Sequence, residues 1–180
     1  DPSVAPDDSF NGQERDYCSC GSHIRYESKY VGQSGAWSCS SCDIRRPAAD
    51  VLATKIVLES DRSYVKIGLA GHSEILDLTI RQQGLYSVYN VLAAISAAWA
   101  YGIHPADSID VIESATGVFG RQEEFVLANA KAKIWLAKNP QGLNEVLRTL
   151  TETAESPLNL LLVLNDEIQD GKDISWIYDA

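Results

Sequence analysis

Along the stretch 84–102, GLYSVYNVLAAISAAWAYG, Leu85, Val88, Tyr89, Leu92, Ile95, Ser96 and Trp99 recur at steps of three and four, the period of one helical face. Alanines at 93, 94, 97 and 98 fill most of the remaining circumference. The pattern predicts a helix with almost no charged side, buried between layers. Gly84 and Gly102 stand where start and stop signals belong. Asn90 is out of keeping with this apolar cylinder: a buried carboxamide needs partners, either in a neighbouring loop or in a ligand. Upstream, 51–58 (VLATKIVL) and 63–69 (SYVKIGL) read as an antiparallel pair turning at Glu59, Ser60 and Asp61. The stretch 74–80 (EILDLTI) alternates like another strand and runs directly into the helix. Downstream, IHPADSIDVIESATG holds a second helix that Asp107 or Ser108 can cap, with Ile109, Val111 and Ile112 facing inward. Residues 143–154 (LNEVLRTLTETA) are amphipathic through Leu143, Val146, Leu147 and Leu150. With strands at 132–137 (AKIWLA) and 158–164, they predict a right-handed βαβ unit.

The cysteines change the picture of the first third. All four lie between positions 18 and 42: Cys18 and Cys20 in a CxC knuckle, Cys39 and Cys42 in a CxxC knuckle. Between them IRYESKYV and AWS alternate aromatic and polar residues around the turn GQSG, a strand-turn-strand pattern. Two knuckles at the base of a hairpin are the layout of a zinc ribbon, here about 15–47. Four thiolates in tetrahedral array suit a structural zinc ion with no open position for chemistry. His23 in place of one cysteine, or an oxidised pair of thiols, are the alternatives. Tyr26, Tyr30 and Trp37 are expected to cover the small sheet, and His72 and His104 to lie in solvated turns.

Bulk properties exclude more than they assign. The chain has 180 residues, 45% hydrophobic and 22% charged, as in an ordinary globular protein. No apolar run approaches the ~18 residues of a membrane span, and DPSVAPDD does not read as a signal peptide. A net charge of −10 argues against a phosphate-backbone partner. Residues 15–47 hold only Arg15, Arg25, Lys29, Arg45 and Arg46 as cations. Residues 1–16 have no period and read as a surface loop or domain edge. There is no methionine, even at position 1, and the chain is expected to be a piece of a longer product.

A glycine-led GLYxVYNxLAAxxAA helix followed by FGRxE (119–123) looks like the end of the central ATP-binding domain of Mur ligases. KNPxGxNEVL (138–147), then LNLLLVLND (158–166) and DGKDISWIYD (170–179), narrow the match. The chain resembles the MurT family, the Mur-ligase-like subunits of lipid II isoglutaminyl synthase, which carry a four-cysteine zinc ribbon in the central domain. The opening DPSVA is similar to the tail of that family's NADDP stretch. Three features depart from the family. No phosphate loop ending in Gly-Lys-Ser/Thr is present, Ser87 stands where asparagine is frequent, and the path to Cys18 is short.

The resemblance implies an α/β fold: a Mur ligase central-domain remnant over 1–120, then the start of a Rossmann-like C-terminal domain over 121–180. It implies an ATP- and Mg2+-dependent carbon–nitrogen ligase that amidates the D-glutamate α-carboxylate of the lipid II stem peptide. Ammonia would come from glutamine through the glutaminase partner GatD, in the cytoplasm at the inner face of the bacterial membrane. Without its phosphate loop, this piece alone is not expected to bind ATP well. An acyl phosphate intermediate needs cations, and Arg121 and Lys138 are the candidates. A surface ion pair of Arg121 with Glu123 and a solvated strand end at Lys138 are the competing readings. Asn90 is the candidate on the base or ribose side. The family is thought to lend its partner a triad aspartate. Of Asp166, Asp170, Asp173 and Asp179, which follow the strand expected at 158–164, Asp173 is the first choice and Asp170 the second. Capping at Ile174 and an Asp-Gly turn are the competing roles. The other function class is a zinc-ribbon binding module for nucleic acid or protein, and a nucleic-acid reader should be basic and salt-sensitive. An ordinary Mur or folylpolyglutamate ligase is a third reading.

Overall fold

The computed structural model describes residues 17–30, 35–116, 122–153 and 157–164, together with Ser175 and Ile177. Three antiparallel sheets form. The first is a hairpin of β1 (Ile24–Lys29) and β2 (Gly35–Cys39). The second has the order β3-β4-β5, from Val51–Leu58, Ser63–Leu69 and Ile75–Ile80. The third is a hairpin of β6 (Glu123–Leu127) and β7 (Ala130–Ile134).

The central sheet holds the core because its strands alternate. In β4, Ser63, Val65, Ile67 and Leu69 face inward, and in β5 Leu76, Leu78 and Ile80 do the same. In β3 the alternation breaks: Ala53 and Ile56, three apart, are both buried, because the β3–β4 register shifts between Ala53 and Lys55. A bulge of this kind restores the inward phase of the strand. Helix α1 (Leu85–Ala100) lies on this face, burying Leu85, Val88 and Ile95. Tyr30, at the exit of β1, reaches the same core and ties the cysteine hairpin to it.

Among the described residues the helix does not lie between layers. Asn90, Ala93, Ala94, Ser96, Ala97 and Ala100 are exposed, so among the described residues α1 has one covered face. The expectation of a buried Asn90 is therefore corrected. Apolar residues all round a helix measure its composition, whereas burial depends on a second surface opposite. Helix α2 (Ile109–Ser114) follows a 3-10 turn at Pro105–Ser108. Ile109 and Ile112 pack on the core, but Val111, expected inward, points away at 71% exposure. Neither Asp107 nor Ser108 caps α2; instead His104 Nδ1 accepts from the Ala106 amide at 3.3 Å and starts the 3-10 turn. Glu113 on α2 accepts from the Thr79 amide at 2.7 Å, satisfying an edge N–H of β5.

The second half differs more from expectation. The β6–β7 hairpin turns at Ala128–Asn129, with Ala128 at φ 52°. Helix α3 (Pro140–Thr153) begins three residues before its expected start, because Asn139 Oδ1 accepts from the Gly142 amide at 2.7 Å and Pro140 sits at the first helical position. The strand expected at 158–164 is not formed. Residues 157–164 have no regular structure, and Leu161 is 85% exposed. A strand needs a neighbour for its ladder, and no described strand runs beside this one. The parallel βαβ unit is accordingly absent among the described residues.

Candidate metal centre and ligand face

The hairpin places its knuckles by backbone bonds. The Cys18 amide donates to Ser22 O (2.7 Å) and the Gly21 amide to Cys18 O (2.8 Å), closing the first turn. The Cys39 amide donates to Ile44 O (2.8 Å), closing the second, and the Ser41 amide donates to Cys39 Sγ at 3.4 Å. All four sulfurs lie within 4.8 Å of one another. Cys18 Sγ is 3.6 Å from Cys42 Sγ, and Cys20 Sγ is 3.6 Å from Cys39 Sγ. A tetrahedral ion with metal–sulfur bonds of ~2.3 Å would set its sulfurs about 3.8 Å apart, so the spacing fits such an ion. No S–S bond joins these four cysteines. His23 stays out of the cluster, with its ring 4.4 Å from that of Tyr17.

Crowding splits the thiols. The Ser22 amide and hydroxyl, then Cys39, draw Cys20 down to about 6. The Cys20 amide chiefly lowers Cys18. Although the Ile44 amide favours its thiolate, the neighbouring thiols, Cys39 first, and desolvation push Cys42 up to about 12. Like charges this close cannot all ionise without a cation, which a divalent ion would supply.

The remaining candidates are less concentrated. Asn90 lies on the exposed face of α1, one turn beyond Tyr86. Lys138 is exposed immediately before the Asn139 cap of α3. Arg121, Asp170 and Asp173, with Asp166 and Asp179, fall outside the described residues. A cleft of about 700 Å³ between the central sheet and the β6–β7 hairpin is lined by Arg62, Arg81, Lys133 and Gln122, among others. Its charges are largely paired: Arg62 with Asp61 at 2.5 Å and Lys133 with Glu124 at 2.8 Å. The Arg62 guanidinium holds the Asp61 carboxyl below its usual range. Neither Asn90 nor Lys138 lines this cleft.

Sequence reasoning passed over Gln122. Its Nε2 donates to Gln83 O at 2.7 Å and to the Tyr86 hydroxyl, and its Oε1 accepts from the Gln83 amide. No motif marks such a residue, since its partners, the backbone of Gln83 and the Tyr86 hydroxyl, lie 39 and 36 positions away. From the other side, Thr149 of α3 comes close enough to Gly84 that an added Cβ would sit 2.8 Å from its Oγ1. Two elements of the second half thus converge on the turn that starts α1.

Residues 136–180 match the family model described as MurT ligase C-terminal. The chain is 33% identical over 162 residues to "Lipid II isoglutaminyl synthase (glutamine-hydrolyzing) subunit MurT" of Streptococcus pneumoniae, covering 89% of this chain and 35% of that protein. It is 32% identical over 168 residues to the MurT subunit of Staphylococcus aureus, covering 93% of this chain and 36% of that protein. Among solved structures it is similar to a pseudomurein peptide ligase type C from Methanothermus fervidus, at 27% identity and a TM-score of 0.64. That match covers 75% of this chain and 26% of that one. The chain therefore spans about a third of the length of the curated relatives it matches. No described helix is long and apolar enough to cross a membrane. Nine-tenths of the sequence aligns with MurT subunits, residues 136–180 match the MurT C-terminal model, and the fold is shared with a peptide ligase: over about a third of their length, the chain is similar to the Mur-ligase-like MurT subunits.

Proposed function

We propose that this chain supplies the end of the central domain and the start of the C-terminal domain, dividing near Gly120, of an ATP-dependent carbon–nitrogen ligase. Its reaction is amidation of the D-glutamate α-carboxylate in the lipid II stem peptide. The carboxylate takes the γ-phosphoryl group of ATP, bound with Mg2+, to give an acyl phosphate and ADP. Ammonia then attacks the acyl carbon, loses a proton and expels phosphate, leaving D-isoglutamine. The ammonia comes from glutamine, hydrolysed by a GatD-type glutaminase partner. The work takes place in the cytoplasm at the inner face of the membrane, where the lipid-linked substrate is presented. The observation that carries this reading is the MurT similarity along nine-tenths of the chain.

Asn90 contacts the nucleotide from the open face of α1, and Arg121 and Lys138 offset charge on the transferring phosphoryl group. Asp173, with Asp170 as second choice, orients the partner's catalytic histidine. Cys18, Cys20, Cys39 and Cys42 hold a zinc ion whose part is to staple the hairpin, since four protein ligands leave no open position. The acidic balance of the chain speaks against the nucleic-acid module. The test is amidation of lipid II, read as the acid-to-amide mass change, by the ligase co-expressed with a glutaminase. Without added ammonia, product should require both glutamine and ATP. An Asp173→Asn variant should lose glutaminase activity while leaving amidation from added ammonia intact. No product from wild type under any nitrogen source overturns the reading.

A further inference from the structure

We infer that Gln122 is a positioning residue: its carboxamide clamps the first turn of α1 and thereby orients the helix face that carries Tyr86 and Asn90. The side chain does for Gln83 what a neighbouring strand would do. Its Oε1 accepts from the Gln83 amide, and its Nε2 donates to Gln83 O at 2.7 Å. The same Nε2 donates to the Tyr86 hydroxyl and lies 3.5 Å from Ser87 Oγ, which itself donates to Gln83 O at 2.9 Å.

The arrangement is costly to hold and costly to lose. Gln122 sits at φ 56°, a left-handed conformation that a residue with a side chain adopts only when its surroundings enforce it. Gln83 and Ser87 are 3% and 5% exposed, so removing the carboxamide takes the acceptor from the buried Gln83 amide and leaves the Gln83 carbonyl to the Ser87 hydroxyl alone. α1 has no side-chain cap and no acidic residue in its first turn, so this clamp, beside the packing of Thr149 on Gly84, fixes the helix entry from outside the helix. Tyr86 and Asn90 are four residues apart and share one face. A turn held through Tyr86 therefore sets the direction in which Asn90 points.

The role in orientation rests on the ligase reading, but the clamp does not, and two measurements separate them. The first is amide hydrogen exchange in the full-length ligase. Gln122→Gly deletes the carboxamide while easing the positive φ, so global unfolding should stay near wild type as exchange at Gln83 rises about tenfold or more. Gln122→Glu keeps the acceptor for the Gln83 amide but offers no donor to Gln83 O or Tyr86. It should protect Gln83 better than the glycine variant and less well than wild type. Unchanged exchange at Gln83 in Gln122→Gly overturns the clamp. The second measurement is the amidation assay, in which Gln122→Gly should raise KM for ATP about fivefold or more with kcat within about twofold. An equal fall in kcat with KM unmoved overturns the positioning role. A wild-type enzyme that turns over no ATP refutes the ligase reading and the positioning role with it, leaving the clamp to stand or fall on the exchange data.

Discussion

Replacing Gly84 by alanine tests how the two halves of the chain meet. Gly84 has φ 86° and ψ 152°, a region essentially reserved for glycine, where a side chain costs about 1–3 kcal/mol. It is also crowded. A Cβ would lie 2.8 Å from Thr149 Oγ1 and 2.9 Å from Tyr86 Cε1, inside van der Waals contact, and overpacking of this kind costs a further ~1–3 kcal/mol. Gly102 provides the control: its φ is 85°, but a Cβ there meets nothing within 4 Å, so Gly102→Ala should cost only about 1–2 kcal/mol of backbone strain. The contact contribution is isolated by a double-mutant cycle in urea, pairing Gly84→Ala with Thr149→Ala. Removing the hydroxyl should recover about 1–2 kcal/mol of the Gly84→Ala loss. Were Gly84→Ala no worse than Gly102→Ala, or the cycle additive, α3 would not rest on the turn at Gly84. The account of that junction would then be wrong.

Three further outcomes follow from the geometry. The metal centre should bind about one zinc per chain, and Cys42→Ser should weaken binding enough for a chromophoric chelator to strip the ion. Binding should also release protons near neutrality, because Cys42, pushed up to about 12, must lose its proton to become a ligand. Metal affinity should therefore fall as pH falls, more steeply below about 6, where the Cys20 thiolate is lost as well; a pH-independent affinity in the chelator assay would refute the thiolate set. In the core, Ile67 is fully buried on the central strand, so Ile67→Ala should cost about 2–5 kcal/mol, whereas Val111→Ala at 71% exposure should stay within about 0.5 kcal/mol in the same denaturation experiment.

The elements legible in the sequence are those whose signal is local. β3 and β4 begin and end where alternation placed them, because one face of each meets the core and the other meets water. α1 runs from Gly84 to a stop at Gly102, whose φ of 85° suits glycine. The β6–β7 hairpin left no such mark. Its two-residue turn puts Ala128, at φ 52°, where glycine would have announced it, Asn129 is its lone turn residue, and β6 opens on two glutamates that look like loop. Residues 157–164 show the converse error. A run of leucines and a valine reads as a strand from composition, yet strand formation depends on a ladder partner that periodicity does not describe. The single covered face of α1 has the same cause. Alanine at 93, 94 and 97 records tolerance of burial, and only a facing layer turns that tolerance into burial.

The same distinction separates the parts of the candidate site. Four cysteines in two knuckles are a site written in spacing: a hairpin of any reasonable register brings the knuckles together, and the sulfurs converge to within 4.8 Å. Asn90 stands out as a carboxamide in an apolar helix and Lys138 as a cation before Asn139-Pro140, signals that do not give the face on which each stands, and only the helix geometry shows Asn90 pointing outward beside Tyr86. Gln122 belongs to a third kind, in which a side chain reads backbone atoms. Neither its residue type nor its neighbours predict that role, because any turn with a free N–H and C=O presents the same surface. Its detection required the positive φ and the reciprocal bonds to Gln83 together. Strain at φ 56° persists where surrounding contacts enforce it, and at Gln122 those contacts all lead to the start of α1.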